Sequence, residues 1–275
     1  MSQKSELIID SKLTRRAYYK DLWGYRELFY FLAWRDILVR YKQAFFGVAW
    51  ALVRPMLNVV AFALLFGKVA KLPSDNINYP LFVLAGLLPW QLFSNVAVDA
   101  CNSLVINVPL VSKTYFPRII IPLATIIVHL LDFTVIAIPF LLLAFFLGLM
   151  TIWSIIAFPF FLLLTLMLCT GASLWLSAIT VNYRDFRIVV PFLVQFGLFA
   201  SPVGYGTALI PEQWQWLYCL NPMAGIIDGF RWACFGISHD FTTYSISMSV
   251  AVTTLLLLSG LNYFRKVEYT FADTI

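Results

Sequence analysis

The sequence predicts an all-α integral membrane protein: six transmembrane helices, an amphipathic interface helix before them, and re-entrant outer helices between the fifth and sixth spans. Three observations carry this. Apolar runs near 44–69, 79–100, 119–147, 152–180, 188–205 and 246–264 are each long enough to cross a bilayer core, which takes roughly 20 mostly apolar residues. Read as six spans, the chain places nearly all its Lys and Arg on one side. Ten of them occur up to Arg54, followed by Lys113, Arg118, Arg184, Arg187, Arg265 and Lys266, and only Lys68, Lys71 and Arg231 fall on the other. The positive-inside bias then puts both termini in the cytoplasm. The third observation is a mean hydropathy of +0.83. With 61% hydrophobic and 12% charged residues, against about 25% charged in soluble domains, a soluble globular fold is excluded.

Residues 1–21 are polar and read as a cytoplasmic tail, with no cleavable signal peptide expected ahead of the first span. Residues 22–43 mix Arg26, Glu27, Arg35, Asp36, Arg40 and Lys42 with Trp, Tyr and Phe, which suits a helix in the inner headgroup layer. Its charges fall on two stripes, so its amphipathicity is imperfect. It can serve as an anchor or as a lever against a cytoplasmic partner.

The six-span domain runs over 44–264. Near its start, Pro55 should kink or begin the regular helix, and Arg54 can snorkel to the headgroups. NSLVINVPLVSKTYFPR (102–118) is a moderately polar inner segment, sized for one short helix across the membrane plane, with Pro109 and Pro117 bracketing or bending it. Spans three and four form a hairpin around 147–151, with bends allowed at Pro122, Pro139 and Pro159. VNYRDFR (181–187) is a basic inner turn. Two pieces, PEQWQWLYCL (211–220) and PMAGIIDGFRWACFGI (222–237), are too short to cross and too apolar for an ordinary outer loop. Each opens with proline at a plausible first helical position, and Asn221 is placed to cap the second. A re-entrant or interfacial pair is expected, because irregular backbone at membrane depth must be sheltered by protein. Residues 265–275 are a short cytoplasmic tail.

Several chemistries are excluded. The chain has no G-x-x-x-x-G-K-[ST], no G-x-S-x-G and no H-E-x-x-H, so neither P-loop nucleotide binding nor these catalytic sites are available. No His/Cys/carboxylate cluster has metal-ligand spacing. The net charge of +5 lies mainly in the N-terminal segment and reads as topology signal rather than nucleic-acid binding. Cys219 and Cys234 lie in apolar stretches, which disfavours a disulfide between them. Asp99, His129 and Asp132 are ionisable residues within spans, and such residues are functional suspects. His129 and Asp132 share a helical face. They are either a satisfied buried pair, the favoured reading, or a proton relay. The G-x-x-x-G at Gly225 and Gly229 is a weak signal when it occurs once. The many aromatics either face lipid or line a path for a sugar polymer, on whose apolar faces aromatic rings stack.

FGVAWALVRPMLNVVAFALLFG (46–67), YPLFVLAGLLPWQLFSNV (79–96), the segment 102–118, SAITVNYRDFRIVVPFLVQFGLFASPVGY (177–205) and LNPMAGIIDGFRWACFG (220–236) resemble, in that order, the ABC-2-type permeases that export polysaccharides. The resemblance covers nearly all of the chain from about residue 25. It implies a homodimer in the bacterial cytoplasmic (inner) membrane. Each copy would dock on a separately encoded ATPase subunit that holds ATP and Mg, so this chain itself would bind no cofactor. The coupling helix 102–118, with Asn102, Asn107, Lys113, Phe116 and Arg118, and the turn Tyr183, Arg184 and Asp185 would face that ATPase. The outer gate helices, 211–236, would present Trp214, Trp216, Tyr218, Asn221, Pro222, Phe230 and Arg231. Spans one, two and five would line a conduit for a lipid-linked glycan, with Trp50, Trp90, Phe93, Phe196 and Phe199 as channel candidates. Lipid-linked O-antigen is the favoured cargo and teichoic acid or capsule the runner-up. ABC-2 small-molecule or drug efflux, and an ion-coupled carrier built on His129 and Asp132, are the competing readings.

Overall fold

The computed structural model describes residues 21–42, 49–74, 77–237 and 242–271. Among them every regular element is helical. Helix α1 (Arg26–Lys42) precedes α2 (Ala49–Phe62), which widens into a π-helical stretch, Ala63–Val69. The long α3 (Tyr79–Ile106) leads into the short α4 (Val108–Lys113), and α5 (Ile120–Phe146) and α6 (Ser154–Asn182) form a hairpin. Then come α7 (Phe186–Ala200), α8 (Glu212–Tyr218), α9 (Pro222–Phe235) and α10 (Thr242–Val267).

Among the described residues five helical stretches are long and apolar enough to cross a membrane: Leu52–Val69, Tyr79–Ile106, Ile120–Phe146, Ser154–Asn182 and Thr242–Thr270. The expected crossing at 188–205 differs. Its helix, α7, has 15 residues, about 22 Å at 1.5 Å per residue, short of a hydrocarbon core of about 30 Å. It stops because Ser201 turns extended (φ −101°, ψ 150°) ahead of Pro202, which has no N–H to donate and disfavours helix at the residue before it. The chain then passes irregularly through buried residues 201–204.

Segment 102–118 also divides differently from one helix. α3 continues through Asn102 to Ile106, and α4 has six residues. Asn107 marks the break: its Nδ2 donates to the Ser103 carbonyl at 2.9 Å, satisfying an end-of-helix acceptor. Pro109 then lies in the first turn of α4, and Thr114 beyond it is extended. Pro55 lies inside α2 rather than at its start.

Two hydrophobic cores hold the bundle. The larger surrounds α3, whose Phe82, Val83, Ala85 and Val96 are fully buried, and takes in α5, α6 and α9. Phe230 of α9 meets Phe158 of α6 edge-on, centroids 5.0 Å apart, a preferred aromatic geometry. The single G-x-x-x-G is used in full. A Cβ on Gly225 would lie 2.3 Å from the Ser245 carbonyl oxygen, and one on Gly229 2.1 Å from the Phe161 ring. Only glycine lets α9 seat against α10 and α6 at this distance. The smaller core joins Leu32 and Ala33 of α1, Leu104 of α3, Val111 of α4, Ala178 of α6, and Phe264 and Phe271 at the chain's end. It gathers the basic inter-helix segments at one end of the bundle, called the basic end below. Cys101, Cys169, Cys219 and Cys234 are buried and free.

Candidate functional site

A cavity of about 980 Å³ opens between α1, α2, α3, α5 and α7. Its walls follow from helical spacing. Gln91, Asn95 and Asp99 recur every fourth residue on α3, and Arg54 and Asn58 do so on α2; residues at this spacing stack on one helix face. Gln195 of α7, His129 and Asp132 of α5, Ser94 of α3, and Arg40 and Tyr41 of α1 add to the polar lining.

One wall is a network of five residues. Arg40 of α1 lies 2.9 Å from Asp132 and 3.6 Å from Asp99. His129 Nε2 lies 2.7 Å from Asp99, and its Nδ1 lies 3.4 Å from Asp132. The Tyr41 hydroxyl donates to Asp132. Burial, and after it the Asp132 carboxylate, push the Tyr41 phenol well above its usual range, so it stays a donor. His129 and Asp132 are thus buried, as expected, with their charge compensated. The compensating Arg40 and Tyr41 come from α1, a link that the sequence pattern does not show. A buried carboxylate needs such partners, and the only signal for them was two polar residues at the end of α1.

The channel candidates separate. Trp90 lines the cavity while only 5% exposed. It packs on Gly197, where a Cβ would come 2.7 Å from the indole, and lies 5.9 Å from Phe93. Phe196 and Phe199 are exposed on α7, away from the cavity lining. Phe199 stacks on Phe62 at 6.2 Å. The side chain of Trp50 lies outside the described residues.

At the basic end, three polar links cross between elements. Arg35 of α1 donates to Asn107 Oδ1 at 3.0 Å. Arg187 of α7 donates to Asn102 Oδ1 at 2.8 Å. The Arg118 backbone N–H donates to Glu268 at 2.5 Å, and its guanidinium donates to the Glu268 carbonyl. Asn102, Asn107 and Arg118 are therefore engaged inside the protomer, and Phe116 is buried in the smaller core. Lys113, Tyr183, Arg184 and Asp185 are exposed.

At the opposite end, Arg231 is only 2% exposed. Its guanidinium donates to the carbonyls of Val203 and Tyr205 at 2.9 and 3.1 Å and lies 3.6 Å from the centre of the Phe82 ring. The Tyr79 hydroxyl donates to the Gly204 carbonyl. Asn221 caps α9, accepting from the Met223 N–H at 3.0 Å, and donates to Ser201 at 2.9 Å; Pro222 opens that helix. Tyr218 donates to Tyr205. Trp214 and Trp216 on α8 are exposed, whereas Phe230 is fully buried. Among the described residues no three His, Cys, Asp or Glu are grouped to hold a metal ion.

Residues 27–235 match the family described as ABC-2 type transporter, from the first turn of α1 to the end of α9. The chain is 28% identical over 246 residues to the O-antigen export system permease protein RfbA of Klebsiella pneumoniae, covering 88% of this chain and 92% of the relative. It is 29% identical over 261 residues to the protein of that name from Myxococcus xanthus, covering 93% and 98%. The polysialic acid transport protein KpsM of Escherichia coli is 25% identical over 251 residues, covering 85% and 91%. A multi-helix membrane protein whose family match runs through α1, the cavity walls and both ends of the bundle belongs to the ABC-2 type transporters.

Proposed function

We propose that this chain is the transmembrane subunit of an ATP-driven exporter that moves lipid-linked polysaccharide across the bacterial inner membrane, with O-antigen as the favoured cargo. The observation that carries this is similarity over about nine-tenths of the chain to two permeases named for O-antigen export. Two copies form the conduit, each docked on an ATPase subunit that supplies ATP and Mg. The basic end faces the cytoplasm with both termini, in keeping with the positive-inside bias. α7 is the fifth of six crossings, completed by the sheltered turn 201–206, and α8 and α9 form the re-entrant pair of the outer gate.

The ATPase docks on Lys113 and on the Tyr183–Asp185 turn, which are exposed. Asn102, Asn107, Phe116 and Arg118 transmit its movement within the protomer, because their contacts already join α1, α3, α5, α7 and the C-terminal segment. Closure of the ATPase pair on ATP then tilts the protomers and widens the path. A capsular polymer is the second reading, and one relative is named for transport of another polymer, polysialic acid. The test is depletion of the gene in its host, followed by extraction of surface glycan and of lipid-linked glycan from the inner membrane. Loss of one surface polymer with its lipid-linked form trapped inside is expected. Normal surface glycan with nothing trapped overturns the proposal in favour of small-molecule efflux.

A further inference from the structure

From Phe133 to Tyr183 the α5–α6 hairpin contains no Asp, Glu, Lys, Arg or His. Both of its helices have their far ends at the basic end, so its tip, 147–153, lies at the opposite end of the bundle. There α5 overtops its neighbour. Phe140 meets Phe235, the last residue of α9, edge-on with centroids 6.1 Å apart. The stretch 141–146 continues α5 beyond that contact, about 9 Å at 1.5 Å per residue. Its large side chains have no protein cover. Phe146 is 81% and Ile152 80% exposed, and Phe145, Trp153, Ile155 and Ile156 are exposed with them.

Composition and backbone together say what covers this tip. The segment that leads into α3 at the same end reads KLPSDNIN (71–78), with Lys71 exposed, as suits a loop in water. The tip reads LGLMTIWS (147–154), and a contiguous apolar patch of this kind is rare on a water-facing surface. The tip also closes its own hydrogen bonds. Gly148 is left-handed, at φ 68°. Its N–H donates to the Phe145 carbonyl at 3.0 Å, and the Leu149 N–H to the Ala144 carbonyl at 3.1 Å, the paired bonds of a Schellman ending. Across the turn Ser154 Oγ accepts from the Thr151 N–H at 3.0 Å. The N–H groups of Ser154, Ile155, Ile156 and Ala157 return to the carbonyls of Thr151, Ile152 and Trp153. Helix ends ordinarily leave such groups to water, whereas backbone in lipid must satisfy them internally.

Length is the opposing consideration. α5 has 27 residues and α6 has 29, about 40 and 43 Å, against a hydrocarbon core of about 30 Å. Standing upright, the hairpin would lift its tip into the headgroups or past them. Tilt or local thickening absorbs such a mismatch at a small cost per ångström. Leaving six large apolar side chains in water forfeits far more, so burial decides. We infer that the α5–α6 tip is a membrane-buried turn, held beneath the headgroups of the leaflet opposite the basic end. Its partner is lipid, not water, another protein or a second copy. This goes beyond the export reading and is independent of the cargo.

The test uses the full chain, purified with the subunits that accompany it and reconstituted in liposomes. Nitroxide spin labels are attached to Phe146→Cys, Ile152→Cys and, as the loop control, Lys71→Cys. The unaltered protein, whose four cysteines are buried, is treated alike and gives the blank. Power-saturation EPR then compares collision with oxygen, which concentrates in lipid, and with a water-soluble nickel chelate. The oxygen-to-nickel ratio at both tip sites is expected to be at least about threefold above that at the loop control. Two independent tip sites guard against one label disturbing the turn. Nickel access at the tip equal to that of the loop overturns the inference in favour of a turn in water. Low access to both reagents overturns it in favour of a protein partner or a second copy.

Discussion

The two ends of the bundle solve opposite problems with the same residue types. At the basic end, Arg35, Arg187 and Arg118 reach from one element to a side chain or chain segment of another, and the Arg187–Asn102 bond is exposed. At the other end, Arg231 is sunk in the core and spends its donors on main-chain carbonyls of a single irregular stretch. The first arrangement ties separate elements to one another. The second fixes backbone that would otherwise leave acceptors unsatisfied at membrane depth. One end ties separate elements together and the other holds a shape.

The largest effect is expected where the shape is held. Arg231→Met should destabilise the protein by about 3 kcal/mol, since it strands two buried carbonyls and removes a desolvated cation–π contact. Thermal unfolding of the purified protein checks this, and an unchanged midpoint would put the two ends on the same footing. Next comes the lock on the interface helix. Arg40→Ala removes the shared cation from Asp99 and Asp132, so amide exchange over 26–42 should quicken about tenfold, which corresponds to about 1.4 kcal/mol. Exchange that stays slow would mean that the Arg35 and Tyr41 bonds and the packing of Leu32 and Ala33 hold α1 without Arg40.

The Arg118–Glu268 link is smaller, about 1–2 kcal/mol for a partly buried, charge-assisted bond. Arg118→Ala removes the guanidinium's bond to the Glu268 carbonyl and Glu268→Ala the carboxylate's bond to the Arg118 N–H, so each should lower stability by about that amount and the two losses should add. A double variant that loses little more than either single one would show that the two bonds form only together. Lys113→Glu, in contrast, should leave stability within about 0.5 kcal/mol, as exposed substitutions do. It should still impair export, read as surface glycan, because the proposed docking sets that exposed residue against the ATPase.

Helix positions were legible because apolar runs and proline punctuation are local signals. α3, α5, α6 and α10 fall where those runs lie. The short α7 was legible in principle, since Ser201-Pro202 sits inside the run 188–205, but hydropathy averages across a proline that hydrogen bonding does not tolerate. The partners of the buried acids were not legible: Tyr41 and Asp132 are 91 residues apart, and nothing local couples them. Asn102 and Asn107 read as ATPase-facing groups because they match the coupling-helix pattern that the family resemblance carries. Their bonds to Arg187 and Arg35 depend on α7 and α1 returning to the same end. The cavity's polar wall was legible as Gln91, Asn95 and Asp99 at every fourth residue of an apolar span, of which Asp99 alone was singled out from the sequence.

The central claim is vectorial movement of a lipid-linked glycan driven by ATP. It is tested most directly in inverted inner-membrane vesicles that carry this chain and its ATPase, loaded with radiolabelled lipid-linked glycan on the outer leaflet. Addition of ATP and Mg should move the label into the lumen, where an added glycosidase cannot reach it, and vesicles with the Lys113→Glu chain should protect far less. Label that remains fully accessible with the unaltered chain, while the ATPase hydrolyses ATP, would contradict the account.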